Sequence, residues 1–484
     1  MKGKKIVLTS DKAQFLNFGH WYYPYVASMQ IKNNLTNCMS IKRENKAPLS
    51  LRAVEAFLIR KLKLSKHDCE VAHPNHLKWF IGKNTKIVGV SVLDPLGLGP
   101  VTNTLQFVFG CGNYLNWMFE DLMTEIRTLQ EKFNFKIVVG GPGAWQVEER
   151  SMLDRYGIDC LVIGEAESIL PELLNNMLLR AENKAQVIKG NGAKIDDVPP
   201  LVHSTLNGIV EVTRGCGRNC AFCTSISDGY MRNLPLETII ESVKVNLREG
   251  ERRILLQSDD FLLYGSKRNF VSDPTRLFNL LGEINSLKKV RQILPLHLTF
   301  SSIASNEEVT ESLFSRLPRE EPFIIQIGLE TGSVHLAEKY LHEKVLPFSP
   351  EEWPEVIKKG IELLSRNDVI CLSTLIVGFP DESTEDINET ISLLKTLESY
   401  PLIVIPMIFT PLKYTCLSKE NTSKNELIHM LARKEYLDLF REIRKINAWL
   451  PKKVKRQTVF SKRIAEHRSL RELYFVWTEL IDSF

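Results

Sequence analysis

Three cysteines fall within one short stretch, Thr213-Arg214-Gly215-Cys216-Gly217-Arg218-Asn219-Cys220-Ala221-Phe222-Cys223. Thiolates separated by three and then two residues on one loop can wrap a cubane and ligate three of its irons. Iron–sulfur clusters normally have four cysteine ligands. A missing fourth leaves one iron open, as a catalytic metal keeps one position open. An open iron can chelate the amine and carboxylate of a small molecule. The competing reading is zinc, which wants a fourth Cys or His nearby, and no second cysteine pair follows. The other six cysteines, Cys38, Cys69, Cys111, Cys160, Cys371 and Cys416, are scattered singly. They read as small buried hydrophobes of a reducing compartment.

The elements that must hold this loop follow a strand-then-helix rhythm. Expected strands are Gly208–Thr213, Arg253–Gln257, His297–Ser302, Phe323–Leu329, Ile370–Val377 and Leu402–Phe409. Helical spacing of apolar residues lies between most of them, at Leu236–Arg248, Pro274–Ser286, Glu307–Arg316, Pro350–Ser365 and Thr384–Leu397. Six such units fit a partial six-stranded β/α barrel, whose chemistry sits at the carboxyl ends of the strands. Upstream, apolar runs at Lys5–Ser10, Lys86–Leu93, Lys136–Val139 and Asp159–Ile163 alternate with helical patterns at Asn116–Phe133 and Ser168–Leu179. That alternation predicts a doubly wound parallel sheet. The expected division is an α/β Rossmann-like domain over 1–180, a polar linker over 181–205, the barrel over 206–418 and a helical region over 419–484.

Length and composition suit this plan. A chain of 484 residues exceeds one ordinary core, so two or three domains are expected. With 44% hydrophobic and 25% charged residues, disorder is not expected. A net charge of +4 gives no reason to expect a nucleic-acid partner. No run approaches the ~20 apolar residues of a membrane span. The first residues lack the long apolar core of a signal peptide, so a cytoplasmic enzyme is expected.

CxxxCxxC with Phe222 before the last Cys resembles the signature of the radical S-adenosylmethionine (SAM) superfamily. The resemblance implies a [4Fe–4S] cluster on Cys216, Cys220 and Cys223, with SAM on the open iron. An electron then cleaves SAM to a 5′-deoxyadenosyl radical, which takes a hydrogen atom from the substrate. It extends along the barrel. Ser258-Asp259-Asp260-Phe261 lies where the family meets the SAM amino group, and two acids there suit an ammonium. Strand alternation sends their side chains opposite ways, so one of the two faces the site. Ser302 is a further polar candidate. Gly328-Leu329-Glu330-Thr331-Gly332-Ser333 resembles the family's ribose- or amine-binding segment. Its bland reading is a helix cap by Ser333 with Glu330 in a buried ion pair. Leu375-Ile376-Val377-Gly378-Phe379-Pro380 resembles the adenine segment, where Gly378 lets backbone approach the ring.

The strand ending in Gly140-Gly141-Pro142-Gly143, then Gly164-Glu165-Ala166-Glu167, resembles the cobalamin (B12) domain fused to many radical SAM enzymes. Gly140, Gly141, Gly143 and Glu165 are the corresponding cobalamin-contact candidates. The Asp-x-His-x-x-Gly motif that supplies a cobalt ligand elsewhere is absent. The lone histidines His203 and His297 read as structural.

Together these imply a cobalamin-dependent C-methyltransferase acting on an unactivated carbon of a small-molecule, peptide or lipid substrate. An electron donor such as ferredoxin or flavodoxin would be its partner. Two alternatives stand beside it. One is a radical SAM enzyme performing a non-methylating cyclisation, rearrangement or carbon–carbon bond formation over a degenerate cobalamin domain. The other is a cobalamin- or SAM-responsive binding protein with a structural cluster. No catalytic residue is readable.

Overall fold

The computed structural model describes residues 2–15, 46–109, 113–179, 185–224, 231–267, 270–320, 323–420 and 424–448. Cys38 and Cys111 lie outside them, as does the part of the expected helical region beyond residue 448. The chain forms two compact units.

The first unit comprises Met1–Thr102, Cys111–Val210 and Leu234–Glu251. Its strands are β1 (Ile6–Ser10), β2 (Cys69–Val71), β3 (Ile87–Ser91), β4 (Lys136–Gly140), β5 (Cys160–Ile163) and β6 (Gln186–Lys189). All pair in parallel, in the order β2-β1-β3-β4-β5-β6. Every residue of β1 is buried, as a strand covered on both faces requires. Two apolar cores lie on the sheet. One gathers Val88, Val90, Ile137 and Val139 with Phe119, Leu122 and Ile126 of helix α1 (Tyr114–Phe133). The other gathers Ile6, Leu8, Cys69, Cys160 and Val162 with residues from helices over Leu49–Arg60 and Leu170–Leu179. This is the doubly wound sheet that the alternating pattern predicts. Strand order reverses between β1 and β3, which is where such sheets bind ligands at their carboxyl ends.

The stretch read as a polar linker is built structure. β6 is the sixth strand of the sheet, a four-residue edge strand whose largely exposed side chains and polar flanking sequence obscured it. Downstream, Leu201, Ser204 and Thr205 are buried. The Leu201 carbonyl accepts from Arg60, and Asn246 Oδ1 accepts from the Ser204 hydroxyl and the Thr205 N–H.

The second unit comprises Asn103–Gly110, Glu211–Asn233 and Arg252–Phe484. Its strands form a partial barrel from two three-stranded sheets. One is β11 (Gln292–Pro295), β10 (Arg253–Gln257) and β7 (Ile209–Glu211); β7 runs into Val212, whose N–H donates to the Gln257 carbonyl. The other is β12 (Phe323–Glu330), β13 (Val369–Val377) and β14 (Leu402–Ile408). The pairs β10–β11, β12–β13 and β13–β14 are parallel. Among the described residues one β-bridge, His297 to Gln326, joins the two sheets. A short antiparallel ribbon, β8 (Thr213–Arg214) with β9 (Arg232–Asn233), closes the neck of the cysteine loop.

One expected strand is a correction. His297–Ser302 is not a strand; β11 ends at Pro295, and helix α2 (Phe300–Ser305) begins instead. Thr299 caps α2 through a capping box with Ser302. The alternation of Leu296, Leu298 and Phe300 imitates a strand, but the Thr and Ser three residues apart satisfy each other's backbone N–H groups and start a helix.

Candidate functional site

The cysteine loop leaves β8 through Gly215 and Gly217, both at φ +72°, which flank Cys216. Two left-handed residues so close together turn the chain sharply, and glycine takes that conformation without Cβ strain. Arg218 then points inward, 1% exposed. Its Nη1 donates to the carbonyls of Glu343, Lys344 and Leu346, each at 3.0 Å. Its Nη2 meets Asp260 at 3.1 Å, and its guanidinium lies 4.8 Å from the Phe270 ring centroid. Asn219 points outward to Glu343. The Ala221 N–H donates to the Tyr340 carbonyl, and Phe222 meets Phe379 edge-on at 5.8 Å. Phe379 in turn stacks on Tyr340 at 5.1 Å. The loop is therefore pinned on both sides, leaving three half-buried thiols.

These thiols suit a metal cluster. Burial pushes Cys216 up to about 11, with Asp259 and Cys223 adding to it. Burial pushes Cys220 up to about 12, against the pull of Lys344. Such thiols hold their protons unless a metal takes them as thiolates. Among the described residues no three His, Cys, Asp or Glu side chains converge on a single ion. Separate thiols on one loop suit a polynuclear cluster, in which each iron takes one sulfur.

The expected SAM contacts divide sharply. Asp260 is fully buried. Besides Arg218 it accepts from Thr299 Oγ1 at 2.7 Å and Ser302 Oγ at 2.8 Å. Asp260 and Ser302 thus belong to the frame that holds Arg218. Ser258 is also fully buried and bonds Thr213 at 2.6 Å, tying the end of β10 to β8. Asp259 turns the other way, half-buried, where its charge acts on Cys216 and on His297. Glu330 sits at φ +64° and pairs with Lys344 at 2.5 Å, while Ser333 caps the following turn. The bland reading of that segment is what the structure contains. Gly378, at φ +81°, donates its N–H to Glu382 at 2.7 Å. Glu382 also accepts from Tyr436 at 2.5 Å, and burial lifts its carboxyl to about 7.

Arg218 and Lys344 were missed by the sequence reading. Lys344 stands in His342-Glu343-Lys344, which reads as a solvated charged turn, so no signal could have found it. Arg218 offered one faint signal, a long cation enclosed between two candidate ligands.

In the first unit, the proposed cobalamin glycines are occupied by the protein's own backbone. The Gly140 carbonyl accepts from the Val92 N–H, and the Gly143 N–H donates to the Val92 carbonyl. A side-chain carbon on Gly141 would lie 2.7 Å from the Val92 carbonyl oxygen, and one on Gly143 would overlap the Leu93 carbonyl. Glu165 accepts from the Ala193 N–H at 2.8 Å. At the switch point Asp11 is buried and accepts from the Ala13 and Gln14 N–H groups. Gln14 also donates to the Ser91 carbonyl, joining the ends of β1 and β3. Leu93, just past β3, is 52% exposed. His203 pairs with Glu55 at 3.0 Å and is structural. Cys69, Cys160 and Cys371 are buried, and Cys416 is exposed.

A partial β/α barrel with three thiols on the loop after its first strand defines a class of cluster-binding barrels. Residues 210–394 match the family model described as Radical SAM superfamily. Proteins of this superfamily use a [4Fe–4S] cluster and SAM. The tRNA-2-methylthio-N(6)-dimethylallyladenosine synthase of Orientia tsutsugamushi (strain Ikeda) is 26% identical over 56% of this chain. The match spans 59% of that relative's length. The threonylcarbamoyladenosine tRNA methylthiotransferase MtaB of Aquifex aeolicus is 26% identical over 70% of this chain and 79% of its own. Among solved structures, the radical SAM methyltransferase TsrM from Kitasatospora setae, with cobalamin and a [4Fe–4S] cluster bound, has a TM-score of 0.57 at 15% identity. It covers 86% of this chain and 74% of its own. A second TsrM structure, with tryptophan and a SAM analogue, has a TM-score of 0.59 over 86% of this chain and 76% of its own. These two likenesses establish the fold.

Proposed function

We propose that this chain is a cobalamin-dependent radical SAM methyltransferase acting on an unactivated carbon. The observation that carries the radical SAM part is the pinned loop with three half-buried thiols, Cys216, Cys220 and Cys223. Cys216, Cys220 and Cys223 would hold a [4Fe–4S] cluster, which would supply the electron for cleaving SAM to the 5′-deoxyadenosyl radical. The chain's own residues hold and orient. Arg218 fixes the loop, Asp259 is the half-buried acid of its pair and would meet an ammonium, and Gly378 offers backbone to a flat ring. Support for cobalamin is the β2-β1-β3-β4-β5-β6 sheet with its switch point, and the fold shared with a protein that binds it.

A specific observation favours a second reading. The glycines after β4 are filled by Val92 and Leu93, and Glu165 is bonded to Ala193. That suits a radical SAM enzyme whose first unit is a scaffold. The tRNA methylthiotransferase relatives also place RNA among the substrate classes to test, despite the modest charge of the chain.

The deciding experiment is anaerobic reconstitution with iron, sulfide and hydroxocobalamin. About four irons together with cobalt, and S-adenosylhomocysteine as product, support the methyltransferase. Iron without cobalt supports the scaffold reading. Cys216→Ala should abolish SAM cleavage; a wild type that never cleaves SAM would instead indicate a structural cluster.

A further inference from the structure

SAM is a ligand with two distant ends. Its amine and carboxylate suit the open iron of a cluster on Cys216, Cys220 and Cys223, and its adenine suits the turn Gly378-Phe379-Pro380. The cysteine loop follows β7 and that turn follows β13, strands of two different three-stranded sheets. A tie between loop and turn is needed to fix their distance.

Tyr340, 3% exposed, touches both. Its carbonyl accepts at 3.0 Å from the N–H of Ala221, which lies between Cys220 and Cys223. Its hydroxyl donates to the Pro380 carbonyl at 2.8 Å. Its ring lies flat on Phe379 at 5.1 Å, with the planes 5° apart, and Phe222 meets the same Phe379 edge-on. Tyr340 belongs to a π-helical turn, Ala337–Leu341, a form found frequently at functional sites. The base of that turn is anchored: the Ala337 N–H donates to the Ser333 carbonyl, and the Ser333 hydroxyl donates to Asp386. A phenylalanine would serve the stack equally. Only the hydroxyl reaches the main chain of the turn.

We propose that the Tyr340 hydroxyl sets the spacing between the cysteine loop and the Gly378-Phe379-Pro380 turn, so that one SAM molecule is held by both ends at once. This rests on the radical SAM reading above. Once one end is bound, the other meets its partner at an effective concentration that depends on that spacing. Tyr340 acts through the two segments and is a positioning residue.

The test is Tyr340→Phe, which keeps the ring and the carbonyl and deletes one hydrogen bond. Labelled SAM is bound to the iron-loaded, oxidised holoenzyme by equilibrium dialysis. Methionine and 5′-deoxyadenosine, each carrying one end, serve as competitors. The variant should hold as much iron as wild type, bind SAM about tenfold more weakly, and bind each half as wild type does. A mere strut would not separate the whole ligand from its halves. Unchanged SAM binding, equal weakening of SAM and both halves, or lost iron overturns the proposal. Halves too weak to compete with either protein leave the SAM constant to decide, and tenfold weaker binding at full iron and an unchanged urea midpoint supports the proposal. A wild type that takes up no iron, or takes up iron and binds no SAM, overturns the radical SAM reading itself.

Discussion

Arg218 and Asp260 are enclosed together, at 1% and 0% exposure of their side chains, so truncating either strands a buried charge. Breaking such a pair costs about 3–5 kcal/mol. Asp260→Asn should therefore lower the denaturation midpoint and the iron retained after reconstitution. Asp259→Asn, on the other side of the strand, should spare both and weaken SAM binding. Calorimetry with an iron count checks the first claim, and equilibrium dialysis of SAM the second. Glu382 adds a pH dependence. Burial raises its carboxyl from the usual 4.5 to about 7. The folded state keeps this proton where the unfolded state has lost it. Its contribution is thus full below about pH 4.5 and is lost as pH rises through 7. Each unit of separation is worth about 1.4 kcal/mol. Glu382→Gln should flatten that part of the stability curve and be the more stable protein at pH 8, as urea titrations at pH 5 and pH 8 would show.

Elements with strong periodicity were readable residue by residue. Helix α3 (Thr384–Leu397) has the bounds its sequence predicts, because Ser383 and Asp386 form a capping box. Strands β12, β13 and β14 match to within a residue, since their apolar β-branched runs have no other use in this fold. The edge strand β6 and helix α2 were not readable, because one is a short exposed run in polar surroundings and the other borrows a strand's alternation. The cysteines and the Asp259–Asp260 division were legible in the site. The frame around Arg218 was not: Ser302 was a candidate for SAM rather than a prop for Asp260, and the long-range enclosure of Lys344 leaves no local pattern. The turn after β4 yields its own prediction. Gly143→Ala would drive a carbon into the Leu93 carbonyl, and such overpacking costs about 1–3 kcal/mol. Gly140→Ala meets only Val162 at 3.4 Å and should be nearly neutral. Guanidinium midpoints of the two variants check this contrast without any cofactor.

At the scale of the whole molecule, the helix over Lys434–Asn447 belongs to the barrel unit. It buries Tyr436, Leu439, Phe440, Ile443 and Ile446, each worth about 1.5–3 kcal/mol. Its last residue, Asn447, bonds both the N–H and the carbonyl of Val404 on β14. An amide side chain thus mimics a neighbouring strand. Ending the chain at Lys419 should yield protein that aggregates on expression, because it uncovers that strand; size-exclusion chromatography would report it. Among the described residues, the two three-stranded sheets of the barrel are bridged at His297 and Gln326 alone. Mechanically the barrel is two stiff staves with a single peg between them. Deuterium should enter the amides along that seam through small local openings, while those of β13, flanked on both sides, wait for global unfolding. Arg218 spans the same divide, bonding Asp260 after β10 and the Lys344 carbonyl after β12, so the loop that carries the thiols would register any parting of the staves.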